Sequence, residues 1–398
     1  MTNIRKKGFR TVPTNSQKEF EKKLKEHRLK IIKRTAVIIM IVLAFIGIIW
    51  LYMSLRQYTD YEIRASAERA DTKASKFEEF QGNILKYSND GAIYIDHYNE
   101  RIWNQTYEMS NPTIDKCGNY LVIYDKKGKD IYILNETGLV HRMETNYPIT
   151  QVSIASQGTI AILMDNQSRG LLYLYDKEGN LLVNGAIHGE KGGYPVAIAL
   201  SEDAIKLGVS ILDVKGGSVQ SAIVFYNFSS AGENAIDHIV SINTYEDTFI
   251  PEVDFVSKDC MIAISDSGVL IFEGAQTPSE TSKIELPEKI NSLIYNNKYI
   301  GTVSDGTEEL PGKIIRTYDL KGRMKMEENT ELEYSNIEFL SSDEVCIYNE
   351  KVCDIYTANG IFKFHYEFEQ EFYKVIPRGS GLNYTFILEG ITEQARLR

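Results

Sequence analysis

Two hydrophobic periods divide the chain. Up to Leu55 the apolar positions crowd into one long run. Beyond it they recur in runs of about five to eight residues, broken by Gly, Asn, Asp and Ser. The first run, Thr35 to Leu55, reads TAVIIMIVLAFIGIIWLYMSL and carries no charge. As a helix it spans roughly 31 Å, the hydrocarbon thickness of a bilayer. A buried core helix rarely runs so far without a polar stripe. A cleaved signal peptide has a shorter apolar stretch and a small-residue site directly after it, whereas Ala65 and Ala67 lie about ten residues on. The pattern predicts an uncleaved signal anchor, with helix reaching back to Gln17. Trp50 and Tyr52 fall near one end, where amphipathic rings settle at the interface.

The second period predicts strands, and the strands repeat. One turn recurs as LNETG ending at Gly138, YDKEG at Gly179, YDLKG at Gly322 and YTANG at Gly360. An Asx or Thr side chain bonds its own backbone there, and Gly supplies a positive φ. A second series marks strand entry: NPTID from Asn111, YPITQV from Tyr147, YPVAIAL from Tyr194 and IPEVDF from Ile250. Pro is tolerated at the first residue of a strand. A third series gives a second strand per unit, starting at Asn83, Asn119, Thr159, Ala204, Asp259, Lys298, Asp343 and Asn383. Its seven intervals average about 43 residues, the period of four-stranded propeller blades.

The expected fold is therefore all-β: an eight-bladed β-propeller of four-stranded blades behind one transmembrane helix. The last unit has only three strands before the chain ends. The spare strand Tyr61–Arg69 is expected to complete it and close the ring, which removes a free sheet edge. Seven blades, with residues 58–75 as a helical stalk, are the alternative. Two sandwiches would not need eight similar units.

Charge adds orientation. Residues 1–34 hold 12 Lys/Arg and 3 Glu, a net of +9. The totals of 44 bases and 55 acids then leave 32 and 52, a net of −20 for the remainder. By the positive-inside rule, residues 1–34 form a basic cytoplasmic tail, 35–55 the span and 56–398 an extracytoplasmic domain. The tail suits anionic lipid. So acidic a domain argues against nucleic acid as a partner.

DGAIYIDHYNERIWNQ (Asp90–Gln105) resembles the quinoprotein-type propeller repeat. The whole layout resembles an uncharacterised family of Gram-positive bacterial single-pass membrane proteins with an extracytoplasmic, quinoprotein- or WD40-like propeller. The strings YSNDGAIYID, YPITQVSIASQGTIAIL and GYPVAIALSEDA carry that likeness. It implies architecture and cell-envelope location, and no chemistry. The chain departs from quinone-dependent enzymes: Trp103 is the one tryptophan beyond the span, and no two cysteines are adjacent. Trp103 reads as blade packing.

Few motifs in the chain carry chemistry. No HExxH, GxSxG, phosphate-loop or calcium-loop motif is present. We expect no catalytic residues, no metal and no cofactor. In VCIYNEKVC, a two-residue turn at Asn349–Glu350 sets Cys346 directly opposite Cys353, which allows a cross-strand disulfide beside the alternative of two packed thiols. The glycine-rich HGEKGGYP (His188–Pro195) reads as an inter-blade loop. Tyr147, Lys191 and Tyr194 are the expected ligand-facing rim. In EFEQE, strand alternation puts Glu367, Glu369 and Glu371 on one face. The leading functional expectation is a membrane-tethered scaffold that binds an envelope protein or glycan without catalysis. A transmembrane sensor and a degenerate quinoprotein-like enzyme are the alternatives.

Overall fold

The structure is a computed structural model and describes residues 14–70, 75–167, 169–188, 193–215, 217–286, 289–307, 311–379 and 381–398. The chain forms two compact units, which meet in sequence at Arg56 and Gln57. The first contains a single helix, Thr14–Leu55, of 42 residues. It is long and apolar enough to cross a membrane. Large apolar side chains such as Ile38, Met40, Leu43 and Phe45 are exposed within the chain. Thr35 spends its hydroxyl on the carbonyls of Ile31 and Ile32, so this polar residue is satisfied within the helix.

The second unit is an eight-bladed β-propeller of antiparallel four-stranded sheets. Blades 1 to 7 follow chain order. Their first strands are Lys76–Phe80, Pro112–Cys117, Ile149–Ile154, Tyr194–Leu200, Glu252–Ser257, Ile290–Tyr295 and Asn336–Phe339. Blade 8 begins with Phe372–Pro377, continues through Asn383–Leu388 and Ile391–Leu397, and is completed by Tyr61–Glu68. First strands of neighbouring blades approach one another, so they line the central channel. The expected second strands sit where the repeat put them, from Asn83–Ser88 to Asn383–Leu388.

The turns form for the expected reason. Asn135 Oδ1 accepts the Thr137 amide at 2.8 Å. Asp176 Oδ1 accepts the amides of Glu178 and Asn180. Asp319 does the same for Lys321 and Arg323. Gly138, Gly179, Gly322 and Gly360 all have φ between 74° and 121°.

The core lies between blades. Val122, Ile131 and Ile133 of blade 2 pack with Ile154, Ile160 and Ile162 of blade 3. Burying each such side chain contributes about 1.5–3 kcal/mol. Gly208 in blade 4 has a packing reason: a Cβ there would meet Met261 Sδ of blade 5 at 2.2 Å. Trp103 is buried on the outer strand of blade 1, and its Nε1 donates to the Asn135 carbonyl of blade 2 at 3.1 Å.

Ring closure is dense. Tyr61–Glu68 pairs with the last strand from Tyr61↔Leu397 to Glu68↔Ile391. Just before it, Tyr58 is buried and bridges to blade 7: its amide donates to the Lys363 carbonyl at 2.9 Å, and the His365 amide donates to its carbonyl at 3.1 Å. Arg398 binds Asp60 through both its amide and its guanidinium. Arg69 donates to the carbonyls of Leu388 and Ile391 and to the Thr392 hydroxyl.

Two local expectations are corrected. Cys346 pairs with Ile355, and Cys353 with Tyr348, so the cysteines are diagonal rather than directly opposite. Asn349 is the cause. Its Oδ1 accepts the amides of Lys351 and Val352, which centres the turn on Glu350–Lys351, one residue later. The two thiols are free, fully buried and 3.5 Å apart. Burial raises the Cys346 pKa. The Glu367–Glu371 row is also not one strand face: the outer strand of blade 7 ends at Glu367 and the next begins at Phe372. In blade 4 the strands Lys206–Lys215 and Ser218–Asn227 each run ten residues and pair as far as Lys215↔Ser218.

Candidate binding site in the central channel

The channel lining is polar at both ends. Where the first strands finish, a cavity of about 410 Å³ is lined by Glu78, Glu79, Lys116, Asn296, Glu338 and Lys374, among others. Lys374 organises it. This side chain is 8 % exposed, and its Nζ lies 2.7 Å from Glu338 and 3.5 Å from Glu78. Burial alone would lower its pKa, but the two carboxylates outweigh burial and raise it above the usual lysine value. Glu78 is also within 3.2 Å of Lys116 Nζ. Burial pushes its pKa up, yet the two lysines prevail and hold it below the ordinary value. Blades 1, 2, 7 and 8 are thus stitched around the axis by alternating charges.

Where the first strands begin, the chemistry differs. A cavity of about 290 Å³ is lined by Asp115, Gln151, Ser153, Ile198, Glu252, Asp254 and Tyr295, with Lys126 in its wall. Side chains fasten one first strand to the next. Gln151 exchanges two 3.0 Å hydrogen bonds with the Ile198 backbone. Ser153 Oγ accepts the Leu200 amide, and Asp115 Oδ2 accepts the Ile154 amide at 2.8 Å. Tyr295 donates to Glu252 at 2.9 Å.

Asp115, Glu252 and Asp254 form no ion pair among the described residues. Burial, and then the charge of Asp115, push the Asp254 pKa up to about 7. Burial likewise raises that of Asp115. Hydrogen bonds from backbone amides, Ser153 and Tyr295, with the charge of Lys116 near Asp115, offset only part of the cost of gathering these carboxylates, and a proton or an incoming cationic group relieves the rest. Among the described residues no group of three His, Cys, Asp or Glu is placed to hold a metal ion.

A family model described as a family of unknown function (DUF5711) matches residues 54–397. The chain belongs to that family. No curated protein matches it. Among solved structures, Sqt1 of Saccharomyces cerevisiae matches with a TM-score of 0.54 at 12% identity, covering 86% of this chain and 100% of Sqt1. The computationally designed Ika8 protein matches at 0.51 and 11%, covering 86% and 100%. BamB from Moraxella catarrhalis matches at 0.49 and 11%, covering 85% and 100%. At such identities the likeness of the first two is one of fold.

In this DUF5711 chain the expected rim residues are only partly brought to one place. Tyr147 and Tyr194 both lie where first strands begin, in neighbouring blades 3 and 4. Tyr147 is exposed, whereas Tyr194 donates to Asp165 at 2.5 Å. Burial, then the Asp165 bond, push the Tyr194 pKa up to about 12. Lys191 lies outside the described residues. The carboxylates that converge instead had a sequence signal. Asp115, Gln151, Ile198 and Asp254 each stand three residues after the entry Pro of their blade, and all four line the cavity.

Asp254 gives this site a pH signature. Its folded pKa lies above the ordinary 3.8, so folding disfavours the charged form. The resulting penalty is absent below about pH 4, grows as pH rises toward 7 and is full above it, at most about 4 kcal/mol. Asp254→Asn is expected to stabilise the domain at pH 8 and leave it little changed at pH 4. Denaturant unfolding at both pH values checks this, and equal effects at the two would contradict it.

Proposed function

We propose that this chain is a membrane-tethered, extracytoplasmic binding module whose propeller takes a cationic group of an envelope protein into the channel where the first strands begin. The observation that supports this reading most is the meeting of Asp115, Glu252 and Asp254 in one cavity without an ion pair among the described residues, Lys126 standing in the wall beyond pairing distance. A Lys or Arg side chain entering from a partner would neutralise them and bond Tyr295 and Gln151 less strongly than the carboxylates. The apolar helix supplies the tether, and the +9 tail supports an N-terminus in the cytoplasm. Cysteine labelling from either side of intact cells tests that orientation. A glycan ligand would need to carry amino groups to use the same cavity.

The binding test uses a synthetic tetralysine peptide as probe, titrated calorimetrically into the purified chain. Binding should weaken as salt rises, because charge drives it. Asp254→Asn and Asp115→Asn should each weaken it about tenfold or more. Unchanged affinity in both variants would refute the assignment of the channel as the site.

A further inference from the structure

Each blade ends in an outer strand with an edge turned away from its sheet, that of blade 7 partly covered by the Tyr58 bridge, and seven of the eight outer strands carry charge. Arg101, Arg142 with Glu144, Glu246, Glu280 with Lys283, Lys325 with Glu327, Lys363 with Glu367, and Glu62 with Arg64 mark the outer strands of blades 1, 2, 4, 5, 6, 7 and 8. Such charges are the usual protection against edge-to-edge pairing. Blade 3 is the exception. Its outer strand, Leu181–His188, reads LLVNGAIH, with no Asp, Glu, Lys or Arg in eight residues. Leu181 and Leu182 are about half exposed. On its inner side the strand pairs with Arg169–Tyr175. Among the described residues no backbone hydrogen bond reaches its outer side.

We propose that this edge joins two copies of the chain, their Leu181–His188 strands pairing antiparallel about a two-fold axis near Gly185. Three observations select a second copy as the occupant. First, the region beyond residue 34 carries a net of −20, so two copies repel overall, and this edge lets them meet without like charges within the paired strands. Second, the sequence is self-complementary in that register. Val183 stands opposite Ile187 twice, and Asn184 opposite Ala186 twice. β-Branched pairs of this kind stabilise neighbouring strands. Val183 and Ile187 already pack on the core between blades 3 and 4, which fixes their orientation. Gly185 lies within the strand, and a Cβ there would approach the Leu172 carbonyl oxygen no closer than 3.9 Å, so the axis is not crowded.

Third, the geometry suits chains held in one bilayer. Sheet twist of about 20–25° per strand turns an outer strand roughly 60–75° from the first strand of its blade. The sheet normal at the outer edge then lies close to the propeller axis. Antiparallel pairing about that normal leaves the two propeller axes side by side and pointing the same way. Confinement to a membrane supplies the local concentration that a single strand pair needs.

The test is intermolecular energy transfer between donor- and acceptor-labelled full-length chains in phosphatidylcholine vesicles. Wild type should show transfer above the level set by random proximity at that density. Asn184→Lys with Ala186→Lys places four like charges across the seam and should reduce the excess transfer about tenfold. Ile242→Lys with Thr244→Lys, at exposed positions on the outer strand of blade 4, should leave it unchanged. Melting curves establish that each variant is folded. No excess transfer in wild type, equal transfer in the blade 3 variant, or equal loss in the blade 4 variant would each overturn the proposal.

Discussion

Replacing residues 57–69 by a Gly/Ser linker of the same length is expected to abolish cooperative unfolding of the propeller. The segment supplies the fourth strand of blade 8 and the staple to blade 7. Its removal strips seven paired residues from the last strand. It also removes Tyr58 from the cluster that holds Phe364, Phe368 and Phe386. The Tyr61 ring, 4.8 Å from Tyr366 and 4.9 Å from Phe386, goes with it. Arg69 leaves the Leu388 and Ile391 carbonyls without their donor and no longer covers the Phe77 ring at 4.8 Å. Each lost contact is worth about 1–3 kcal/mol. Together they rival the whole net stability of a domain, about 5–15 kcal/mol. The measurement is a thermal melt with size-exclusion chromatography. A peptide of residues 57–70 added in trans should restore the melt by strand addition. A variant that melts with the wild type would mean that three strands suffice for blade 8.

The extent to which this fold is legible in sequence follows from what is local. An Asx-turn needs five residues, all adjacent, so Asp176 and Asp319 with their glycines announce a strand pair without help from the rest of the chain. The 43-residue step then counts the blades, and the incomplete last unit demands a strand such as Tyr61–Glu68. The channel was half legible. The residue three past each entry Pro marks Asp115 and Asp254, but only once the four entries are aligned on the proline. The lysine network was not legible. Lys374 meets Glu338 of the preceding blade and Glu78 of blade 1, 296 residues earlier, and no local pattern encodes a contact across ring closure. The cysteine register failed for the opposite reason. One Asn349 side chain, with two amides in reach, shifted the turn by a single residue and made a facing pair diagonal.

Lys374→Ala should destabilise the propeller by about 3–5 kcal/mol at neutral pH, the usual result of stranding one side of a buried ion pair. Glu338 then keeps, among the described residues, the Tyr348 hydroxyl at 3.3 Å, while Glu78 retains Lys116. The pH dependence separates this from loss of packing. In the wild type the folded Glu78 pKa is depressed, so its contribution is present above the ordinary 4.5 and is lost as pH falls through the folded value. Without Lys374, Glu78 loses one of the two lysines that hold its pKa down and gains a proton more readily in the fold. The deficit of the variant is therefore largest at neutral pH and shrinks as pH falls toward 4. A mere cavity would cost the same at both. Adding Glu338→Gln should recover part of the loss at pH 7.5, because it removes the stranded charge. Urea unfolding of the two variants at both pH values measures all four terms. A deficit below about 1 kcal/mol at pH 7.5 would mean that solvent in the channel already screens the cluster as it does a surface pair.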